Sequence, residues 1–399
     1  MHILMIAPEP FFEPRGTPFS EFHRIRALTT LGHTVDLVTY PFGRDVDLPG
    51  LRIIRCARPP FVRRIAIGPS WAKVPLDLLV AWTAAWRALR AKYDAVHSHE
   101  EGGVIGVALA WWLGVPHLYD MHSSLPQQVT NFNYPRGGWL ARVLGWFERL
   151  MVSRSLAVIV ICADLELTVR EIDTDVPVVL IENAPGSGRA PEPGSGEAVR
   201  RSLGVEADTP LLLYTGTFEA YQGLDLLFEA FAHVAGRRPD ARLVMMGGEP
   251  PQVEQAAARV ARLGLAGSVI FTGQRPADDV PAFLDAATVL VSPRSTGTNT
   301  PLKIYQYLRS GRPIVATRLR THTQVLSDEV AVLSEATPQA FGAAILGVLA
   351  DPARAAAVGA AARALAESKY TDEAFIARTK RAVGLLSSAG GGAAAEGAS

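Results

Sequence analysis

Short apolar runs alternate with helical patterns along almost the whole chain, and this alternation leaves few folds open. Strands are predicted at residues 3–7, 34–40, 51–56, 95–98, 116–121, 157–162 and 178–181. Helical periodicity falls between them at 20–31, 76–92, 104–113 and 139–153. A strand that returns to its sheet through a helix pairs in parallel, and a parallel sheet needs both faces covered. Around residues 183–198 the pattern breaks into Ala, Pro, Gly and Ser, then starts afresh. The second half has strands at 211–215, 242–246, 269–272, 289–292, 314–316 and 330–333, with helices at 224–235, 252–263, 280–286, 302–309 and 338–350.

With 399 residues the chain exceeds one ordinary core, so two doubly wound α/β domains are expected. The boundaries read as a first domain over 1–185, a linker over 186–200, a second domain over 201–369, a helix over 370–386 and a disordered tail over 387–399. The formal net charge is +0, which gives no global field for nucleic acid. Cys56 and Cys162 stand far apart, so neither a disulfide framework nor a zinc site is suggested, and a reducing cytoplasm fits. The N-terminus reads as a buried first strand rather than a signal peptide, and no apolar stretch is long enough to span a membrane.

Ligands of open α/β sheets bind beyond the carboxyl ends of the strands, so the loops there are the candidate sites. The strongest is Gly297-Thr298-Asn299-Thr300-Pro301-Leu302-Lys303, which leads from a strand into a helix opening at Pro301. A helix N-terminus offers free amides and the positive end of its dipole, and Lys303 adds a cation; the combination suits a phosphate or diphosphate. A solvated lysine on an ordinary strand–helix connection is the plain alternative. In Arg15-Gly16-Thr17-Pro18, Gly16 permits close backbone approach and Thr17 is expected to cap the first helix.

Several further pieces stand in order along the chain: Gly32-His33-Thr34-Val35, Tyr93-Asp94-Ala95-Val96-His97-Ser98-His99, Tyr119-Asp120-Met121-His122 and Leu180-Ile181-Glu182-Asn183 in the first half. The second half adds Tyr214-Thr215-Gly216-Thr217, Gln222-Gly223-Leu224-Asp225, Phe271-Thr272-Gly273 and the loop ending at Lys303. Taken together and in this order, they resemble retaining glycosyltransferases of the GT-B type, family 4. The resemblance implies two Rossmann-like domains facing a cleft, a C-terminal helix returning to the first domain, and transfer of a hexose or N-acetylhexosamine from a UDP- or GDP-type sugar. Anomeric configuration would be retained and no metal or other cofactor needed.

Carried over by position, the resemblance places Gly216, Thr217, Thr298, Asn299, Thr300, Pro301, Leu302, Lys303 and Gln306 at the donor, and Arg275 and Arg294, predicted at loops or strand ends, are candidates to replace cations of the family that are missing here. It places His122 against the donor sugar, with His122 and Lys303 as catalytic groups. Arg15, Gly16, Thr17, His99 and Glu100 fall on the acceptor side. The family's two glutamates, eight apart, are replaced here by Thr298 and Gln306, and its diphosphate-clamping arginine and lysine by Phe218 and Gln222. These departures keep three rivals open: a non-catalytic nucleotide-sugar-binding or scaffold relative, another GT-B enzyme (an inverting transferase or an epimerase), and a two-domain binding protein.

Residues 52–92 carry nine basic side chains against Asp77 alone, interleaved with Trp71, Trp82 and Trp86. Such a stretch suits an anionic membrane surface, so a glycan or lipid-linked acceptor at the inner face of the plasma membrane is expected. The alternative buries the tryptophans in the core.

Overall fold

The structure is a computed structural model; it describes all residues except 13–15, 61, 63–72, 128–137, 183–189 and 397–399. The chain divides into two compact units, one formed by Met1–Asn183 with Glu373–Ser399 and the other by Ala184–Asp372.

In the first unit the order is β1 (His2–Ala7), α1 (Gly16–Thr30), β2 (Thr34–Thr39), β3 (Leu51–Arg55), α2 (Lys73–Ala88), β4 (Ala95–His99), α3 (Gly102–Leu113), β5 (His117–Met121), α4 (Gly138–Ser153), β6 (Ala157–Val160), α5 (Ala163–Ile172) and β7 (Val178–Leu180). The seven strands pair in parallel in the order β3-β2-β1-β4-β5-β6-β7. Alternation along β1 explains how the sheet is covered. Leu4 and Ile6 pack with Leu76, Val80 and Ala84 of α2 and Leu109 of α3. Ile3 and Met5 pack on the other face with Ile25 and Leu28 of α1. Each fully buried side chain of this kind contributes roughly 2 kcal/mol.

The second unit contains α6 (Ser195–Ser202), β8 (Leu211–Thr215), α7 (Leu224–Ala235), β9 (Arg242–Met246), α8 (Pro250–Arg262), β10 (Val269–Gly273), α9 (Val280–Ala286), β11 (Val289–Ser292), α10 (Leu302–Ser310), β12 (Ile314–Thr317), α11 (Arg320–Thr323), β13 (Val332–Ser334), α12 (Pro338–Ala350) and α13 (Pro352–Lys369). Its six parallel strands run β10-β9-β8-β11-β12-β13. Leu212, Tyr214 and Val291 pack against Phe228, Phe231 and Phe341, whereas Leu211, Leu213 and Leu290 face Ile304, Leu308 and Ala362.

A last helix, α14 (Asp372–Glu396), belongs to the first unit: Val383 enters the core beside Ile25, and Arg378 pairs with Glu182 at 2.5 Å. Three expectations change. A helix begins at Ser195, inside the expected linker, because Gly196 allows close packing against Asp285 and Ala286. Helix α14 continues through the expected disordered tail to Glu396. Helices α5 and α13 had no counterpart in the periodicity reading.

Candidate functional site

Both sheets reverse their strand order beside the unit's first strand, between β1 and β4 and between β8 and β11. Connections leave in opposite directions at such a reversal, and a crevice opens at the carboxyl ends of the strands. The chemistry-bearing residues of each unit gather there.

In the second unit, β8 runs into Gly216, whose φ of 138° and missing side chain leave room for Lys303. A Cβ on Gly216 would stand 3.3 Å from both the Lys303 Nζ and the Tyr214 hydroxyl. Lys303 lies on α10 and is 7% exposed. Its ammonium sits 3.8 Å from the centroid of the Tyr214 ring, and no hydrogen-bond acceptor among the described residues reaches it. Burial, and then the neighbouring Arg294, hold this ammonium well below the ordinary lysine value. An unpaired buried cation is costly, and that cost is offset when an anion arrives.

Arg294 shapes the loop before α10. Its guanidinium donates to the Asn299 carbonyl at 2.5 Å and to the Thr321 hydroxyl at 2.9 Å. Thr321 donates to the same carbonyl at 2.6 Å, and the Gln324 amide donates to the Thr298 carbonyl at 2.6 Å. Thr298 and Asn299 are therefore fixed by their main chain. The Thr300 hydroxyl and Gln222 Oε1 are buried without partners among the described residues. Pro301 has φ −63° and ψ 135° and stands at the cap, so α10 opens at Leu302, where the periodicity places its start. Its extended ψ makes it the boundary residue. Gln306 lies half-buried on α10, one turn beyond Lys303.

Arg275, in the loop after β10, is exposed, with its guanidinium 6.0 Å from the Phe283 ring. Phe218 turns into the core against Tyr214 and Phe271, so it offers nothing to a ligand. The side chain next to Gly216 is Thr217, whose hydroxyl accepts from Gln222 Nε2 at 3.3 Å.

In the first unit the centre is Asp120, on β5 and fully buried. Its Oδ2 accepts from Arg24 Nε at 2.8 Å, and its Oδ1 lies 3.1 Å from His122 Nε2. His99 pairs across the sheet with Asp120, and its Nδ1 stands 3.3 Å from His122 Nε2. His97, two residues earlier on the same face of β4, stacks on His99 at 4.8 Å and reaches Asp120 Oδ2 at 3.5 Å. Arg24 also donates to the Thr379 hydroxyl of α14 at 3.0 Å. Burial alone would raise the Asp120 carboxyl, but Arg24, His122 and His99 outweigh it and hold it well below the usual range. Burial pushes His99 and His97 below theirs.

Glu100, next along, has φ 47°, the one positive φ at a non-glycine among the described residues. Its carboxylate accepts from the Ser123 hydroxyl at 2.8 and 3.1 Å. Burial, and then Glu101, raise it well above the ordinary glutamate value. Backbone strain of this sort concentrates at functional sites.

Reading the sequence singled out His99, Glu100 and His122 but missed Arg24, His97, Asp120 and Thr379. It also found no metal-ligand spacing, yet His97, His99 and Asp120 bring one ligand atom each within 4.8 Å of one another. The Arg24 guanidinium already neutralises the carboxylate there, while His97 Nδ1 and His99 Nε2 are buried without a hydrogen-bond partner among the described residues. Arg15 lies outside the described residues. Thr17 sits within the first turn of α1 rather than capping it, because the helix is already under way at Gly16.

The stretch 52–92 is rearranged too; Arg63, Arg64 and Trp71 lie outside the described residues. Arg55 is spent on Asp45 and on the carbonyls of Phe11, Tyr40, Phe42 and Arg44, and Arg87 pairs with Asp36 at 2.6 Å.

The glycosyl transferase 4-like domain family matches residues 23–184, and the glycosyl transferases group 1 family matches residues 209–351. A D-inositol 3-phosphate glycosyltransferase of Acidothermus cellulolyticus is 30% identical over 82% of this chain and 76% of its own length. The chain belongs to this glycosyltransferase family. The folds agree. Sucrose-phosphate synthase from Thermosynechococcus elongatus superposes with a TM-score of 0.79 over 97% of this chain and 99% of its own, at 21% identity. Anabaena HepE, solved with UDP-glucose, gives a TM-score of 0.71 over 97% and 100%, at 17% identity. This glycosyltransferase thus has the two Rossmann-like parallel-sheet units of the GT-B fold.

Proposed function

We propose that this glycosyltransferase moves a hexose or N-acetylhexosamine from a UDP- or GDP-type sugar to a hydroxyl of a glycan or lipid-linked acceptor, with retained anomeric configuration and without a metal. The reading rests on one observation: the buried, unpartnered ammonium of Lys303 beside the open backbone of Gly216. When a nucleotide sugar reacts, the bond from the anomeric carbon to the diphosphate breaks and negative charge grows on the departing oxygen. A cation fixed in a dry site stabilises that charge without reorganising. Thr300 and the first-turn amides of α10 would hold the remaining phosphate oxygens, Thr298 and Asn299 the sugar, and Gln306 the ribose.

On the first unit, Asp120 Oδ1, 3.1 Å from His122 Nε2, would orient the imidazole towards the donor sugar. His99, Glu100 and Gly16 would receive the acceptor, and the reaction would take place in the cytoplasm at the inner face of the plasma membrane. The uncharged pair Phe218 and Gln222, where the resemblance implies a clamping arginine and lysine, favours a second reading, a nucleotide-binding relative without turnover.

Thermal unfolding with millimolar UDP, GDP, ADP and CDP in turn tests the donor site. Ligand at one hundred times its Kd adds about 2.7 kcal/mol, a visible rise in Tm. One nucleotide is expected to raise Tm, and the product made from its sugar should keep the donor's anomeric configuration by NMR. A rise without turnover selects the second reading. No rise with any nucleotide removes the donor site from Lys303.

A further inference from the structure

Helices α2, α3 and α4 lie side by side on one face of the first unit's sheet, with α3 between the other two. Their outward sides are unusual. Helix α2 buries Leu76, Val80, Ala84 and Ala88 but also carries Val74, Leu78, Trp82 and Trp86, four residues apart, on its exposed side. A helix with one core-facing stripe normally keeps its outer side polar. Helix α3, Gly-Gly-Val-Ile-Gly-Val-Ala-Leu-Ala-Trp-Trp-Leu, has no polar side chain except the indole N–H groups and exposes Trp111 and Trp112. Helix α4 exposes Trp139, Val143 and Trp146 at the same helical spacing. All six described tryptophans are exposed, from 45% for Trp86 to 81% for Trp111, on this single face.

The charges point one way. Exposed charged side chains along 73–92 and 138–154 are Arg90, Lys92, Arg142, Arg149 and Arg154, all basic. The two acids in these stretches turn inward: Asp77 accepts from the Tyr40 hydroxyl, and Glu148 accepts from the Ser124 hydroxyl and the Leu125 amide. Arg90 stacks on the Trp86 ring at 3.7 Å, which carries its charge at the level of the indoles. Among the described residues no single helix is long and apolar enough to cross a membrane.

From this we propose that the α2–α3–α4 face is a docking surface for an anionic lipid bilayer, with the six indoles set among the headgroups and the arginines on the phosphates. Indoles suit that layer because one edge is apolar and the other donates a hydrogen bond. Each surface cation adds about 1 kcal/mol of attraction to anionic lipid and loses it in salt. The surface differs from the basic stretch 52–92 in its makeup: only α2 and the residues just after it are shared, and α3 and α4 supply four of the six tryptophans.

The test uses the full chain with vesicles of pure phosphatidylcholine and of phosphatidylcholine with about one third phosphatidylglycerol. The protein is expected to co-sediment with the anionic vesicles, less so at high salt, with a blue shift of tryptophan emission. Trp82→Ser/Trp111→Ser/Trp146→Ser should weaken binding at least tenfold (roughly, for three interfacial anchors), and Arg90→Glu/Arg142→Glu/Arg149→Glu should abolish the preference for anionic lipid. Both variants should keep their nucleotide-dependent rise in Tm. Quenching of the unmodified protein by brominated lipids reads the same insertion with no substitution at all. Equal binding by the tryptophan variant, or no binding and no quenching with the native chain, overturns the proposal. So does concentration-dependent self-association that the tryptophan variant abolishes, which would give the face to a second copy of the chain. None of these results bears on the donor site, which the nucleotide experiment decides separately.

Discussion

The two units solve the same problem, charge beneath the surface of a parallel sheet, in opposite ways. At the reversal between β1 and β4 the carboxylate of Asp120 is matched by Arg24, His122 and the ring of His97, and Thr379 takes a further donor of Arg24. At the reversal between β8 and β11 the ammonium of Lys303 has only a ring face beneath it and no acceptor among the described residues. The first cluster is balanced in charge by the Arg24–Asp120 pair, although His97 Nδ1 and His99 Nε2 are buried without a hydrogen-bond partner among the described residues. It fixes orientation. The second is open, and a counter-charge from outside completes it.

Stability measurements should break or uphold that contrast most strongly. Arg24→Met leaves Asp120 buried with its main partner gone, and loss of one member of a buried pair costs about 3–5 kcal/mol. Lys303→Met replaces an unpartnered buried charge by an apolar side chain of similar length, so the unliganded protein should hold its stability or gain. Urea unfolding of the two variants measures both. A loss in Lys303→Met as large as that in Arg24→Met would mean that the ammonium already has a partner, and the contrast would fail.

The pH dependence sharpens the same point with a smaller effect. Burial and Arg294 lower the Lys303 pKa in the folded state, so the unfolded chain binds more protons between the lowered value and the ordinary one. Stability of the unliganded protein should therefore rise as pH climbs through that window, and Lys303→Met should lose the rise. A bound diphosphate restores the charged form, so nucleotide binding should take up a proton in the same window. Calorimetry in buffers of different ionisation enthalpy reads the uptake directly; binding without it would show that Lys303 is not what the phosphates meet. His322, pushed down to about 3 by burial, has the same sign at lower pH: its contribution is present above the ordinary histidine value and is lost as pH falls from there towards about 3.

The architecture was legible because its signal is periodic. Apolar runs such as 211–215 and 242–246 mark doubly buried strands wherever they occur, and β8 and β9 follow them residue for residue. Lys303 was legible because a strand, a glycine-bearing loop, a proline and a lysine lie next to one another in the chain. Asp120 and Arg24 were not, since 96 residues separate them and nothing local pairs them. One clue existed: an aspartate inside a strand expected to be covered on both faces must have a buried partner. The alternation of His97 and His99 was a second, because a period of two places both rings on one face. Helix α5 escaped because Ala163–Ile172 is polar at half of its positions and fully buries only Leu165 and Val169. Of the three-helix tryptophan face only the α2 part, Trp82 and Trp86, was legible, since α3 and α4 join it only once the sheet has brought the three helices together.

The smallest expected change is a gain. Gln222 is 8% exposed beside Thr217, at the position where the resemblance read from the sequence implies a diphosphate-clamping lysine. Gln222→Lys would add a second ammonium to the pocket that already holds Lys303 and Arg294. Without ligand the three cations repel one another in a low dielectric, and the variant should unfold at lower urea than the native protein. With a nucleoside diphosphate the new ammonium gains a charge-assisted hydrogen bond, worth about 1.4 kcal/mol or roughly tenfold in Kd after the repulsion is offset. The two effects have opposite signs, so one variant reports on both the state of the empty pocket and what fills it. Weaker nucleotide binding together with lower stability would show that Gln222 does not face the phosphates, and the open cluster would then have to be narrowed to Lys303, Thr300 and the amides of α10.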